Sequence, residues 1–211
     1  MITKILPAND PHAITEALKL IRAGELVAFP TDTVYGLGAS AFSAPAIEQL
    51  FTVKGREAGK AIAVLLGNPG ALSQVTSAMG PQAAKLAQRY WPGPLTLVVP
   101  IHPALPANLS PRPTIGVRMP DHRSTLTLLN RSGPLAVTSA NLSGGPNTTT
   151  AYQVLAQLGG RIPLILDGGE TPGGLPSTVV DCTAENSGAG GQPQILRPGP
   201  ISMGQILEAL R

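Results

Sequence analysis

The sequence contains few of the residues on which several classes of protein depend. Cys182 is its only cysteine, which excludes an internal disulfide, and its three histidines are too far apart in the chain to predict a zinc cluster. Aromatic residues make up only 3% of the chain, which argues against a platform that stacks single-stranded nucleic acid. No apolar run approaches the roughly 20 residues of a membrane span, and the N-terminus has no signal-peptide pattern. We therefore expect a cytoplasmic protein.

The residues that are present indicate one α/β domain. A hydrophobic fraction of 43% with 13% charged residues excludes a disordered chain, and 211 residues fit one domain of this class. Short apolar runs that read as strands alternate with helical patterns, such as the buried face of Ile14, Ala17, Leu18 and Ile21. This alternation predicts an open, twisted sheet of mixed parallel and antiparallel strands flanked by helices.

The stretch on which the predicted site depends follows the apolar run Leu26–Phe29. Pro30 has no N–H to donate, so we expect the strand to end there and the chain to leave the sheet. Thr31–Thr33 then supplies two hydroxyls and a carboxylate at a strand end, where open α/β sheets bind ligands. Gly36 and Gly38 permit backbone conformations or close approaches that a Cβ would forbid. The alternative interpretation is that these residues simply form turns.

Other local patterns make predictions about element boundaries. The continuous apolar run Ala61–Leu66 predicts a strand covered on both faces. Asp121 is placed to cap a helix that carries Leu126 and Leu129. The segment 184–192 predicts a hairpin-like loop and the least ordered part of the chain.

Basic residues recur near the predicted ends of strands and helices. Lys54, Arg56 and Lys60 lie beside two glycines, a cluster that suits a polyphosphate, although a solvated basic loop would have the same sequence. Arg118 and Arg197 lie in strand-like runs, where a guanidinium is costly to bury unless an anion or a carboxylate compensates it. The alternative is internal pairing of each arginine with an acid such as Asp32, Asp167 or Asp181.

The charge balance favours anionic partners, but the common nucleotide-binding motifs are missing. A net charge of +3 and a pI near 9.3 are typical of proteins that bind nucleotides or RNA, among others. The chain has no Gly-x-x-x-x-Gly-Lys-Ser/Thr loop and no Gly-x-Gly-x-x-Gly after its first strand. No Ser–His or Cys–His pair is evident for nucleophilic catalysis.

Seven motifs taken together resemble the Sua5/YciO/YrdC family of threonylcarbamoyl-AMP synthases. The resemblance extends from about Ala13 to the end of the chain, and the motifs occur in the family's order. They are Pro30–Leu37, Lys54-x-Arg56, Trp91–Thr96, Val117–Pro120, Thr138–Gly144, Pro176–Val180 and Arg197-Pro198-Gly199.

The resemblance implies a YrdC-like domain over residues 1–211 with a concave basic cavity, and without the C-terminal domain of longer family members. It implies that L-threonine, bicarbonate or CO2 and ATP yield threonylcarbamoyl-AMP and pyrophosphate. The product would serve the N6-threonylcarbamoyl modification of adenosine 37 in tRNA. The implied partners are these substrates, downstream threonylcarbamoyl-transferase proteins and, as a further expectation, tRNA or double-stranded RNA. Mg²⁺ is expected on the nucleotide, without a metal site in the protein.

The resemblance also implies roles for individual residues. Lys54 and Arg56 would be catalytic. Threonine would be held by Thr33, Arg118 and Ser177. ATP would be held by Lys54, Arg56, Lys60, Thr114, Ser139, Asn141, Asn147 and Arg197. The chain departs from the family at Glu57 and Ala61, where proline is frequent, and at Leu65, where some members have a histidine that can contact the amino acid.

Two other functions remain open at this stage. The first is a non-catalytic module that binds double-stranded RNA or tRNA, which would also need basic side chains facing phosphates. A phosphate-tracking surface would not need Ser139-x-Asn141 together with Lys54-x-Arg56. The second is a divergent, carbamoyl-handling paralogue, related to a domain of hydrogenase maturation proteins, that has lost threonine specificity. The intact run Thr33–Leu37 argues against that loss.

Overall fold

The computed structural model describes residues 1–183 and 191–211, and these form one α/β layer structure. The strands are β1 (Lys4–Pro7), β2 (Val27–Phe29), β3 (Gly36–Ser40), β4 (Ala63–Leu65), β5 (Leu95–Pro100), β6 (Thr114–Arg118), β7 (Leu135–Ser139), β8 (Leu164–Asp167), β9 (Thr178–Asp181) and β10 (Gln194–Arg197). The helices are α1 (Pro11–Arg22), α2 (Ala44–Lys54), α3 (Pro81–Tyr90), α4 (Arg123–Ser132), α5 (Ala151–Leu158) and α6 (Met203–Leu210), with 3₁₀ turns at Pro69–Gln74 and Ala107–Leu109.

The strands form a single mixed sheet in the order β1-β8-β2-β3-β7-β4-β6-β5-β9-β10. Neighbours are parallel in the pairs β1–β8, β8–β2, β4–β6 and β5–β9. They are antiparallel in the remaining pairs. The predicted class, an open mixed sheet flanked by helices, is confirmed. In the part of the chain that the structure describes, no helix has the length and apolar character needed to cross a membrane.

Alternation along the strands gives the two faces of the sheet different roles. Residues such as Val64 in β4 and Val117 in β6 point to the face packed by α2, α3, α5 and α6, which holds the larger core. The opposite face carries a smaller core under α1 and α4, near β1, β8 and β2. Further along this second face, Ala63 and Gly116 are only half-buried, because they line a cavity instead of packing against a helix.

Local sequence signals place α2 and its last residues beside that cavity. The helix begins where the Ser43 side chain accepts a hydrogen bond from the Ala46 N–H. It ends at Gly55, whose φ of 58° lies in the left-handed region that glycine adopts without strain. The chain therefore turns directly after Lys54 and carries Arg56 towards the sheet.

The prediction that the chain leaves the sheet after Pro30 is correct only as far as Tyr35. The next residues return as β3, antiparallel to β2, with Phe29 opposite Gly36. A Cβ at Gly38 would lie 2.7 Å from the Phe29 ring, so this glycine is needed for a close approach within the sheet. The close approach expected at Gly38 therefore exists, but it lies within a strand and not in a loop.

Three other predictions differ from the structure or lie outside it. Asp121 does not cap α4, because His122 occupies the cap position and the Asp121 N–H donates to Asp32 Oδ1. The strand predicted over 61–66 is shorter, since only Ala63–Leu65 pairs with its neighbours. The predicted hairpin-like loop at 184–192 falls, apart from its last two residues, outside the described residues.

Candidate active site

The cavity on the open face of the sheet has a volume of about 380 Å³, and residues of both polar loops and strands line it. Its apolar floor includes Ala63, Val98, Gly116 and Val179. The polar side chains that line it come from distant parts of the chain, and they are Thr31, Thr33, Arg56, Thr96, Arg118, Thr138, Ser139, Asn147, Ser177 and Arg197.

At one end of the cavity, the side chain of Arg118, the last residue of β6, is held by contacts with other residues of the protein. Arg118 is 5% exposed, and its guanidinium donates to Asp32 Oδ1 in a salt bridge. It also donates to Thr33 Oγ1 and to the carbonyl oxygen of Gly93, each at 3.0 Å. Burial lowers the pKa of Arg118 and the charge of Asp32 counteracts this effect. The internal pairing considered for this arginine therefore exists, and Arg118 lines the cavity as well.

Ser177 and Arg197 form a second polar group in the cavity lining, beside Thr96 of β5. Arg197 donates to the Ser177 carbonyl oxygen from Nε at 3.1 Å and from Nη2 at 2.9 Å, and to Ser177 Oγ at 3.0 Å. Ser177 Oγ lies 2.8 Å from Thr96 Oγ1. A β-bulge at Leu196 shifts the pairing of β10 with β9, and both Leu196 and Arg197 line the cavity there. Burial, followed by the charges of Arg118 and Arg56, lowers the pKa of Arg197.

Arg56 reaches the cavity from the turn after α2. Its Nη2 donates to the carbonyl oxygen of Ala61 at 3.1 Å, and its buried Nε has no hydrogen-bond partner among the described residues. None of the described carboxylates forms a salt bridge with Arg56 or Arg197. Burial lowers the pKa of Arg56. A buried N–H without a partner is costly, so this donor is suited to a ligand.

Lys54 does not line the cavity, although its sequence motif predicts contact with ATP. The side chain is 3% exposed, and Nζ donates to the carbonyl oxygen of Ser139 at 2.5 Å and to that of Asn141. The Lys54 carbonyl oxygen accepts from the Ser143 N–H at 2.9 Å. Burial, followed by the charge of Arg56, lowers the pKa of Lys54 from its ordinary 10.5 to about 8. The geometry favours support of the loop after β7 over direct contact with a ligand.

Three other residues predicted for ATP also lie off the cavity lining. Lys60 is exposed and pairs with Glu57 at 2.9 Å. Asn141 donates from its side chain to the carbonyl oxygens of Leu142 and Gly145, while its buried Oδ1 has no partner in the described part of the chain. Thr114 lies on the cavity face by strand alternation but at the far end of β6. Their roles remain predictions.

The structure thus brings seven of the eleven predicted site residues to one cavity, and these are Thr33, Arg56, Arg118, Ser139, Asn147, Ser177 and Arg197. Two further hydroxyls contact them, Thr31 beside Thr33 and Thr96 beside Ser177. The sequence placed Thr31 in the Thr31–Thr33 group at a strand end but gave it no ligand role of its own. Sequence reasoning missed Thr96, for which the available signal was a lone polar residue in an apolar strand.

Fold and site together define an α/β protein with an arginine-lined cavity on the uncovered part of its sheet. The chain belongs to the Sua5/YciO/YrdC family, whose profile, described as "Telomere recombination", matches residues 19–199. A threonylcarbamoyl-AMP synthase of Bacillus subtilis is 43% identical over 97% of this chain, and a putative one of Mycobacterium tuberculosis is 40% identical over 97%. The structure of Pyrococcus abyssi Sua5 complexed with L-threonine matches with a TM-score of 0.92 at 38% identity over the whole chain.

These relatives differ in length. The chain spans 58% of the Bacillus subtilis protein and 61% of the Pyrococcus abyssi Sua5 chain, but 92% of the Mycobacterium tuberculosis protein. A further solved structure, Escherichia coli YciO, shares the fold with a TM-score of 0.84 at 24% identity.

Proposed function

We propose that this protein is an L-threonylcarbamoyladenylate synthase and that the cavity is its active site. In the proposed reaction, L-threonine, bicarbonate or CO2 and ATP give threonylcarbamoyl-AMP and pyrophosphate. The observation that supports this most strongly is the arrangement of three arginines around one cavity. Two of them, Arg56 and Arg197, have no acidic partner among the described residues, while Arg118 is neutralised by Asp32. A polyanion and a small zwitterion can therefore be accommodated side by side.

The chemistry requires orientation and positive charge more than a protein nucleophile. The amine of threonine adds to CO2, and loss of one proton leaves a carbamate with an anionic oxygen. That oxygen attacks the α-phosphorus of ATP, and the bond from the α-phosphorus to the bridging oxygen breaks, so that pyrophosphate leaves with the electron pair. Arg56 and Arg197 would stabilise the negative charge on the phosphates, and Thr33, Arg118 and Ser177 would orient the amino acid.

The remaining parts of the proposal concern ions and partners. Among the described His, Cys, Asp and Glu side chains, no group of three could hold a metal, so Mg²⁺ would be bound by the triphosphate. The product would be consumed in the cytoplasm by threonylcarbamoyl-transferase proteins that modify adenosine 37 of tRNA. The RNA-binding alternative is less favoured, because the arginines face a cavity and bind backbone carbonyls and hydroxyls within it.

Pyrophosphate release tests the proposal. Purified protein with ATP, bicarbonate and L-threonine should release pyrophosphate, and omission of bicarbonate should suppress the release. Replacing L-threonine with L-serine removes one methyl group and should slow the reaction about tenfold or more. Equal release with every amino acid would contradict the assignment. Tight tRNA binding without pyrophosphate release would instead support the RNA-binding alternative.

A further inference from the structure

The hydrogen bonds around Thr31 fix the position of its hydroxyl proton. Thr31 Oγ1 lies 2.7 Å from the carbonyl oxygen of Val34. A carbonyl oxygen has no proton, so Thr31 must be the donor in this bond. The Thr31 oxygen also accepts from the backbone N–H groups of Thr33 and Val34, at 3.1 and 3.3 Å. Thr31 therefore has no proton left for a second acceptor.

This assignment determines what Thr33 can offer to a ligand. Thr33 Oγ1 and Thr31 Oγ1 are 3.0 Å apart, and because the Thr31 proton is committed to Val34, Thr33 is the donor whenever these two hydroxyls share a hydrogen bond. The two lone pairs of Thr31 then serve three donors, so this bond competes with the two backbone contacts at 3.1 and 3.3 Å. Thr33 Oγ1 also accepts from Arg118 Nη1 at 3.0 Å. A hydroxyl has one proton and two lone pairs, so one lone pair of Thr33 remains for the cavity.

The hydroxyl of Ser177 is not constrained in this way. Ser177 Oγ accepts from Arg197 Nη2 and lies 2.8 Å from Thr96 Oγ1. Within residues 1–183 and 191–211, neither of these two hydroxyls donates to a carbonyl oxygen, so either can supply the shared proton. Ser177 can therefore present a donor or an acceptor to a ligand, whereas Thr33, as long as it donates to Thr31, presents only an acceptor.

We propose that Thr31 is a positioning residue that favours the orientation in which Thr33 acts as an acceptor in the amino-acid subsite. The substrate then places an N–H or O–H donor against Thr33, and a carboxylate oxygen, which is itself an acceptor, is disfavoured there. The inference rests on the proposed function, because it takes the ligand at this end to be an amino acid. Thr31 is 3% exposed and acts through Thr33, since its own hydrogen-bonding capacity is used within the loop.

Calorimetric titration with L-threonine in the absence of ATP tests this role without depending on turnover. Thr31→Val removes the hydroxyl at nearly constant shape and should weaken threonine binding about tenfold, while Thr31→Ser should stay within about threefold of the wild type. Thr125→Val is the matched control. Thr125 is buried and its hydroxyl donates to the carbonyl oxygen of Pro30 in the same loop, so this variant should lose stability but keep its affinity for threonine.

A double-mutant cycle separates action through Thr33 from a general structural effect. In a Thr33→Val background, Thr31→Val should have no further effect on threonine affinity, because the hydroxyl that it orients is already absent. An equal loss in both backgrounds, or an affinity unchanged by Thr31→Val, would overturn the inference and leave the proposed function standing. A wild-type protein that binds no threonine would refute both.

A second ligand identifies the donor that Thr33 receives. L-2-Aminobutyrate has the amine of threonine but lacks its hydroxyl. If Thr33 accepts from the amine, Thr31→Val should weaken the binding of both amino acids equally. If it accepts from the side-chain hydroxyl, only threonine should be affected.

Discussion

Two parts of the cavity, defined by their arginines, handle positive charge in different ways. In the first part, which we call the balanced end, the Arg118 guanidinium is paired with Asp32 and donates to Thr33 and to the Gly93 backbone. In the second part, which we call the unbalanced end, Arg56 and Arg197 have only neutral partners among the described residues. The charge of the first part is therefore compensated before any ligand arrives, and the charge of the second is not.

This difference separates structural arginines from those available to a ligand. Removing one partner of a buried ion pair leaves an uncompensated charge, so Arg118 is tied to the stability of the fold. An arginine without an acidic partner costs the folded state desolvation energy, which a bound anion can offset. The balanced end suits a zwitterion and the unbalanced end suits a triphosphate. Substitutions at the balanced end should accordingly lower stability, and substitutions at the unbalanced end should lower catalytic activity.

The largest expected effect is on catalysis at the unbalanced end. Arg56→Ala should lower kcat/KM for ATP about 100- to 1,000-fold, because it removes charge stabilisation where negative charge is concentrated. Its thermal melting curve should stay close to that of the wild type, since within the described part of the chain Arg56 makes a single hydrogen bond, to the Ala61 carbonyl oxygen. Steady-state pyrophosphate release and calorimetric melting measure the two quantities.

A charge control for Arg56→Ala is available on α3. Arg89 is exposed, lies 5.4 Å from the centre of the Tyr90 ring and does not line the cavity. Arg89→Ala changes the net charge by the same amount and should leave kcat/KM within about twofold of the wild type. A large loss of stability in Arg56→Ala with little loss of activity would show that Arg56 is structural, and the contrast between the two ends would fail.

The next effect is on stability at the balanced end. Arg118→Met should lower the free energy of unfolding by about 3 kcal/mol, because the Asp32 carboxylate would then be buried without its partner. Asp32 Oδ2 already has no hydrogen-bond partner in the described structure. Urea denaturation of Arg118→Met, Arg56→Met and the double variant Asp32→Asn/Arg118→Met makes the comparison. The double variant should recover part of the loss, and similar unfolding energies for the two single variants would contradict the ion-pair assignment.

The sequence was most informative where a signal is local, although the local cap signal at Asp121 was wrong. Caps at Asp10, Ser43, Thr150 and Ser202 start helices as their side chains predict. Polar residues at the ends of apolar runs meet in the cavity because strands of one sheet bring their ends together. This is why Arg118 and Ser139 could be selected from the sequence, whereas Ser177 was assigned only through the family resemblance.

The sequence was uninformative where the reason for a residue lies far along the chain. Position 38 in the strand needs glycine because a Cβ there would collide with the Phe29 ring of the neighbouring strand. A local pattern of glycines looks the same in a turn. Lys54 and Ser139 are separated by 85 positions, so nothing near Lys54 reveals that its ammonium binds two backbone carbonyls. The partners of Thr96 and Thr31 are hydroxyls whose orientation depends on arginines from other strands.

The smallest effect concerns the lysine that supports the unbalanced end. Lys54→Met should raise KM for ATP about tenfold with little change in threonine affinity, because the loop that carries Ser139 loses two charge-assisted hydrogen bonds. If Lys54 instead contacted the nucleotide directly, kcat would fall as strongly as in Arg56→Ala. Initial rates at varied ATP concentrations separate a loop support from a catalytic cation.

The pH dependence of stability gives an independent test of the buried ammonium. The pKa of Lys54 is lowered to about 8 in the folded protein by burial and by Arg56, against an ordinary value of 10.5. Between these pH values the folded chain binds fewer protons than the unfolded chain, so this group makes the folded state more stable as the pH rises through the window. Urea denaturation at pH 7 to 10 should therefore show the wild type gaining stability relative to Lys54→Met above about pH 8. A constant difference in unfolding free energy between the two proteins over this range would mean that the Lys54 ammonium is not desolvated in the folded protein. The support of the Ser139 loop by Lys54 would then need another explanation.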